Sequence, residues 1–357
     1  MPDNKITSFI KNNRGMLIAL LVFIFLPFIV GLFEGANPLK VLMNESGTSK
    51  FIQGLAIEIF ILALFALSYD LIFGFTGLLS FGHSMFFAVG AYLTGIMLKN
   101  FGMSLGATFG ILMLASVLQA LLFGMVLPRV KGITFALVTL GMASVFHVLV
   151  MSTEMHKYTG SDVGLQGVVV PAFISPANER LRLYFISLAI LVVMFMVFKR
   201  FVNSPTGRVC TAIRENEGRA QMLGYNTFYF KLAALLLSSF TAALAGMMHT
   251  IYQPIVSPNT ASLGFTVTAL LIILIGGVGT LSGALVGAVV FRLLDYGLRR
   301  YIGESASFIN GAIYVLIVLF LPYGIVGTWR LKSLQMSKGW KRLLGYFVKS
   351  EEKKETE

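Results

Sequence analysis

Ten stretches of this 357-residue chain are long, apolar and poor in charge, and that repetition constrains the fold more than any other feature. They run at 16–33, 52–74, 77–98, 105–127, 132–152, 183–199, 230–252, 264–278, 281–298 and 308–326. About 20 apolar residues in a helix cross the hydrocarbon core of a bilayer, so each stretch is expected to span a membrane. The expected fold class is an all-α polytopic membrane protein of about ten transmembrane helices. Composition agrees, since 56% of residues are hydrophobic and only 12% are charged, against roughly a quarter charged in soluble domains. A soluble chain this apolar would expose hydrophobic patches that soluble proteins avoid. Glycine is abundant at 36 residues, as in membrane helices whose backbones approach closely.

The formal charge of +12 is unevenly placed. Nineteen of the 28 basic residues fall in four places: Lys5, Lys11 and Arg14; Arg129 and Lys131; the segment Lys199–Lys231; and the tail from Arg330. Segments 34–50 and 153–182 carry equal numbers of acidic and basic residues. This is the positive-inside pattern, which puts the four basic stretches and both termini in the cytoplasm. It explains the charge without a nucleic-acid partner. The run from Met16 is read as a retained first span, because no small-x-small cleavage site precedes a soluble domain. Cys210 is the only cysteine, so no intrachain disulfide forms. Residues 1–327 are expected to form one transmembrane domain, with a cytoplasmic loop at 200–230 and a charged cytoplasmic tail over 328–357.

Two apolar runs are interrupted by glycine-rich breaks, near 74–83 and 276–283. Both read G-x-x-G-x-L-S, at Gly74–Ser80 and Gly276–Ser282. A break frees backbone groups that lipid cannot satisfy, so it must be buried in protein or line a wet cavity. Paired breaks point to a transport pathway, although glycines that merely permit tight packing would look the same. Gly74, Gly77, Ser80, Gly82, His83, Gly276, Gly277, Gly279 and Ser282 are therefore candidate pathway residues. About 35 residues over 264–298 are short for two full spans, leaving open a pair of spans or one re-entrant element. A single element would turn the tail outward, which its basic residues oppose.

The loop 199–231 reads as structured. Ser204-Pro205 suits a helix start, and Gly224 suits the position past a helix end. A helix between them places Arg214, Glu217 and Gln221 on one polar stripe, open to a partner. Of the polar residues in the spans, Arg292 and Asp295 are spaced to neutralise each other. Glu58 is the carboxylate most clearly inside a span. His83 could line a pathway or be satisfied between packed helices. No His/Cys/Asp/Glu set has metal-ligand spacing. No G-x-x-x-x-G-K-[ST] phosphate loop appears, so the chain is expected to bind neither metal nor ATP by that motif.

Five ordered blocks resemble the permease subunit of branched-chain amino acid ABC importers, a family that also includes urea and short-chain amide permeases. They are Asp70–His83 with Phe86-Phe87 and Gly90-Ala91-Tyr92; Arg129–Gly132 with Phe135–Leu140; Thr159–Leu165; Gly207–Lys231; and Gly276–Gly283 with Gly287-Ala288. A closing Leu321-Pro322-Tyr323-Gly324-Ile325-Val326-Gly327 is similar to the family's C-terminal motif. The resemblance implies a homologous second permease subunit, two cytoplasmic ATPase subunits that hold ATP and Mg, and an extracytoplasmic solute-binding protein. It also implies a bacterial cytoplasmic-membrane location, and an ATPase-coupling role for Arg214, Glu215, Glu217, Ala220 and Gly224. The spacing from Glu217-Gly218-Arg219-Ala220 to Gly224 is one residue longer than in distant importers. Gly160, Asp162 and Gly164 become candidates for touching the binding protein. Within the family, Ile273–Gly279 looks closer to amino-acid permeases than to urea permeases. A secondary transporter would also have paired broken helices, but would not need the cytoplasmic docking helix.

Overall fold

The computed structural model describes residues 20–32 and 47–329. Lys5, Lys11, Arg14, the loop 33–46 and the basic tail from Arg330 lie outside the described residues. Eleven helices carry the architecture: α1 (Leu20–Leu32), α2 (Thr48–Asp70), α3 (Ser84–Lys99), α4 (Leu105–Gly124), α5 (Gly132–Met151), α6 (Arg180–Asn203), α7 (Pro205–Met222), α8 (Thr227–Tyr252), α9 (Leu263–Gly276), α10 (Ser282–Ile302) and α11 (Ala306–Phe320). Their starts are written locally. Side-chain oxygens of Ser104, Ser204, Asn226 and Ser262 each accept a first-turn backbone N–H, which satisfies donors that a helix start leaves free.

Every apolar stretch found in the sequence contains a helix, and the described residues form a predominantly helical polytopic bundle. Among the described residues, six helices are long and apolar enough to cross a membrane unaided: Thr48–Phe75, Leu105–Gly124, Gly132–Met151, Arg180–Asn203, Thr227–Tyr252 and Phe308–Trp329. α3, α9 and the described part of α1 are shorter. With 16 and 14 residues, α3 and α9 reach only about 24 and 21 Å at roughly 1.5 Å per residue. α10 is long enough but carries Arg292, Asp295, Arg299 and Arg300. The expected span at 77–98 starts late, at Ser84, because residues 76–83 leave the helical path. Residues 264–298 form two helices joined at 277–281.

α2 is the axis of the molecule. It is apolar on all sides, almost wholly buried, and packed by α6, α8, α9 and α10. α8 in turn packs on α3 and α4. At the α3–α8 crossing, a Cβ on Gly90 would lie 2.6 Å from Ala243 Cα, and one on Gly246 would lie 2.8 Å from Ala91 N. Only glycine permits that approach. The outer faces of α4, α5 and α11 expose Leu114, Leu118, Ile133, Val145, Val148, Leu319 and Phe320, as lipid-facing helices do.

The ends of the bundle differ. α7 joins the end of α6 to the start of α8. Because α6 and α8 have 24 and 26 residues, their other ends lie about 36–39 Å away at roughly 1.5 Å per residue. At that far end, β1 (Leu165–Gln166) pairs antiparallel with β2 (Ile255–Val256). Tyr92 donates its hydroxyl hydrogen bond to the Val256 carbonyl at 3.2 Å, seating this ladder on α3.

Candidate functional site

The first break can be followed carbonyl by carbonyl. After Asp70 the helix widens into a π-turn over Leu71–Phe75, a distortion common at functional sites. Its freed acceptors must find donors, since neither lipid nor core supplies any. Leu71 C=O receives the Thr76 hydroxyl at 2.9 Å. Ile72 C=O receives Leu78 N–H at 2.7 Å, and Phe73 C=O receives Gly77 N–H at 3.2 Å. The next carbonyl, Gly74, is reached from outside the segment, by the Arg214 guanidinium of α7. Gly77 turns with φ +75°, and a Cβ there would lie 3.2 Å from Arg214 Cα.

The second break meets the first. Asp70 Oδ1 accepts the Gly279 backbone N–H at 2.7 Å, and a Cβ on Gly279 would lie 3.0 Å from both the Arg214 guanidinium and the Gly74 carbonyl. Gly279 has φ +71°, nearly that of Gly77, its counterpart in the repeated motif. Gly276 lies against the backbone of Gly283 where α9 and α10 turn back on each other, with Ser282 opening α10. The closing motif seats on this turn, as a Cβ on Gly277 would lie 2.9 Å from the Tyr323 carbonyl. Asp70, Gly74, Gly77, Arg214 and Gly279 thus form one knot of two breaks and the loop helix. Arg214 was a candidate in the sequence, and Asp70 appeared there only as the start of a block. Their partnership was not legible because 144 positions separate them.

His83 is fully buried, stacked on Phe65 and edged by Tyr69 and Phe86. Ser68 gives its hydroxyl proton to the Phe65 carbonyl at 2.6 Å, so its oxygen accepts from His83 Nε2–H at 2.8 Å. His83 Nδ1 is left as an acceptor with no partner. Tyr69 Oη, Asp70 Oδ2 and Ser80 Oγ are likewise buried and unpartnered, so four of the ten such atoms among the described residues fall within 69–83. Unsatisfied buried groups are rare enough that such a concentration needs a reason. Gly82 is held against Thr139, where a Cβ would lie 2.6 Å from the carbonyl carbon.

The loop helix begins as expected, with Ser204 Oγ accepting Gly207 N–H at 3.2 Å. Gly224 follows it with φ +85°. It is not a single helix. Asn216 leaves helical geometry (φ −161°, ψ 100°), and its Oδ1 accepts Arg219 N–H at 2.9 Å, capping a second short segment. The expected polar stripe of Arg214, Glu217 and Gln221 is tied into the rest of the chain, with Arg214 and Gln221 still exposed and Glu217 half-buried. Arg214 turns to Gly74. Glu217 pairs with Lys231 at 2.6 Å and accepts from the Thr227 hydroxyl at 2.9 Å. Gln221 donates to that same hydroxyl at 3.2 Å. Burial pushes the Glu217 carboxyl up, but the Lys231 and Thr227 hydrogen bonds and the Lys231 charge outweigh it and leave it below the usual value. Ala220 is buried and Glu215 exposed. Met222 and Leu223 project at 90% and 72% exposure. Cys210, buried near Thr76 of the break, has its thiol pushed up to about 11 by burial.

Gly160 and Gly164 lie at the far end, with φ +75° and +79°, and Gly164 backs onto Val256. Asp162 between them is exposed. Arg292 pairs with Asp295 at 2.9 Å, as the spacing suggested, and also with Glu58 of α2. No cluster of three or more His, Cys, Asp or Glu side chains suited to a metal occurs among the described residues.

Interrupted membrane helices that meet each other, and are tied to a helix lying between spans, define a multi-pass transport subunit. A family profile described as branched-chain amino acid transport system / permease component matches residues 51–321. The chain belongs to that family, and it is a permease subunit of an ABC importer. It is 25% identical to the high-affinity branched-chain amino acid transport system permease protein LivM of Salmonella typhimurium, covering 74% of this chain and 67% of that one. It is 24% identical to the corresponding LivH of Escherichia coli K12, covering 74% and 91%. It is 25% identical to the probable LivM of Methanocaldococcus jannaschii, covering 73% and 89%. No solved structure matches the chain.

Proposed function

We propose that this subunit forms half of the pathway by which a branched-chain amino acid enters across the bacterial cytoplasmic membrane. The other half is a homologous permease. Two cytoplasmic ATPase subunits hold ATP and Mg, and an extracytoplasmic binding protein delivers the solute. The names of the relatives support this solute class. The basic residues of the α7 region support a cytoplasmic position for that end. In this reading the chain crosses ten times, with α3, α9 and α10 made short or polar by the breaks they flank, and both termini are cytoplasmic.

The observation that carries the mechanism is the double reach of the knot. Arg214 extends from α7 to the first break, and Asp70 extends from the first break to the second. A shift of α7 therefore moves both breaks. The docking contact for an ATPase is the exposed side and tip of α7, at Glu215, Met222 and Leu223. Arg214 and Glu217 transmit, Ala220 packs, and Gly224 ends the helix. The unpartnered atoms of Tyr69, Asp70, Ser80 and His83 mark the part of the pathway that opens when the breaks move. Gly160, Asp162 and Gly164 face the binding protein.

The test is reconstitution of the full complex in proteoliposomes, with ATP inside and binding protein outside. Leucine, isoleucine and valine are expected to accumulate, and Met222→Asp with Leu223→Asp is expected to release the ATPases without loss of the permease pair. Accumulation of urea alone would overturn the solute assignment, and retention of the ATPases by the double variant would overturn the docking surface.

A further inference from the structure

We propose that the cavity at the end of the bundle opposite α7 is a subsite that receives the solute's carboxylate on Arg180. This rests on the proposed amino-acid solute and adds a place where the permease itself recognises it. The cavity has a volume of about 560 Å³ and lies between the start of α6 and the end of α8, lined by Pro176, Ala177, Arg180, His249, Tyr252 and Gln253 among others. That size and a mainly apolar wall with a few convergent polar groups suit one small aliphatic ligand.

Arg180 is held in place without being neutralised. Its Nε donates to the Pro176 carbonyl at 3.1 Å and its Nη1 to the Lys50 carbonyl at 3.2 Å. It has no carboxylate partner among the described residues. The nearby acids are committed elsewhere: Glu179 to Arg182 at 3.4 Å, and Glu58 to Arg292 and to Gln253. A guanidinium positioned by two carbonyls but lacking a counter-ion is preorganised to take an anion.

A second donor lies close to it. A Cβ on Gly54 would lie 2.7 Å from Tyr252 Oη and 3.5 Å from Arg180 Nη1. The phenol and the guanidinium thus occupy neighbouring space that only glycine leaves open. The Tyr252 hydroxyl makes no hydrogen bond among the described residues, so it can donate to the second oxygen of a carboxylate. The apolar walls at Pro176, Ala177 and Ile255 then face the aliphatic side chain.

The experiment uses the assembled permease–ATPase complex in nanodiscs without binding protein, and measures competition for radiolabelled L-leucine by L-leucine and by L-leucinamide, whose carboxylate is replaced by a neutral amide. The wild-type complex is expected to prefer leucine, and Arg180→Gln to cut that preference about tenfold or more, the scale of one lost charge-assisted hydrogen bond. Arg180→Lys is expected to restore part of it, and Tyr252→Phe to weaken it less than Arg180→Gln. The preference is a ratio within one preparation, so a lower yield of folded variant does not change it. An unchanged preference in Arg180→Gln, or no leucine binding by the wild-type complex, would overturn the subsite. Binding-protein-driven leucine uptake by wild type, run in parallel, separates the two levels. If uptake is normal while the preference ignores Arg180, only the subsite fails; if uptake is absent, the solute assignment fails with it.

Discussion

Replacing Arg214 by Met keeps the length of the side chain and removes its charge from the knot. The Gly74 carbonyl then loses its donor, and a buried acceptor left unpaired costs about 1–3 kcal/mol. The Asp70 carboxylate also loses a neighbouring cation, a loss that reaches about 3–5 kcal/mol for a fully buried pair. Arg214 is exposed and makes no direct ion pair with Asp70, so solvent screening leaves little of that charge effect and the unpaired carbonyl dominates, at about 2 kcal/mol in all. If the knot carries motion between α7 and the breaks, that loss corresponds to roughly a 30-fold fall in ATP-driven leucine uptake in proteoliposomes. The ATPases should still co-purify, because Arg214 faces the membrane domain. Arg214→Lys should fall between the two, as a single ammonium can replace the charge but not the forked geometry. Asp70→Asn keeps an oxygen for Gly279 N–H and removes only charge, so its effect and that of Arg214→Met should couple. Wild-type uptake by Arg214→Met, or effects that add within about 0.5 kcal/mol, would refute the reasoning. Loss of the ATPases from the complex would return Arg214 to the docking surface.

Gly77→Ala and Gly279→Ala force a side chain into left-handed backbone at about 1–2 kcal/mol each, so melting in detergent should occur at lower temperature, and the Leu variants should stop uptake. Gly141→Ala, where a Cβ meets nothing within 4 Å, should leave melting unchanged or raise it slightly. Glu58→Leu leaves Arg292 with Asp295 alone and should destabilise the detergent-solubilised subunit, while adding Arg292→Leu should recover part of the loss; a double variant worse than the sum of the singles would contradict the pairing. The Glu217 carboxyl titrates below its ordinary value of 4.5, so its tie to Lys231 stabilises the folded chain above that pH and is lost as pH falls through the folded value. Hydrogen exchange at 217–231, corrected for intrinsic rates, should quicken below pH 4.5 in wild type. In Glu217→Gln it should already be quick at neutral pH and show no such step.

Much of this fold was legible because membranes impose length and polarity directly on sequence. Helix positions, the caps at Ser204 and Gly224, the Arg292–Asp295 pair and both breaks were all local patterns. What could not be read was long-range or depended on competition. Glu217 looked available on a helical wheel, but Lys231 lies across the next turn of chain and holds it. The Asn216 interruption had a signal, since Asn followed by Glu-Gly-Arg can cap a new helix, yet good helix formers on both sides masked it. Among the described residues, α3 and α9 fall short of self-sufficient spans because a break shortens its neighbours, which hydropathy averaged over a window does not register.

The interruption at Asn216 gives α7 two outputs. The segment before it is fastened to the broken helices through Arg214, and the segment after it to α8 through Glu217 and Gln221. In the proposed coupling role, a push on the exposed tip would be divided at that pivot, much as a differential shares torque between two axles. On that reading the two glycine-rich breaks would swing by one amount while the α3–α8 body turns by another, whereas a straight helix in the same place would move them together.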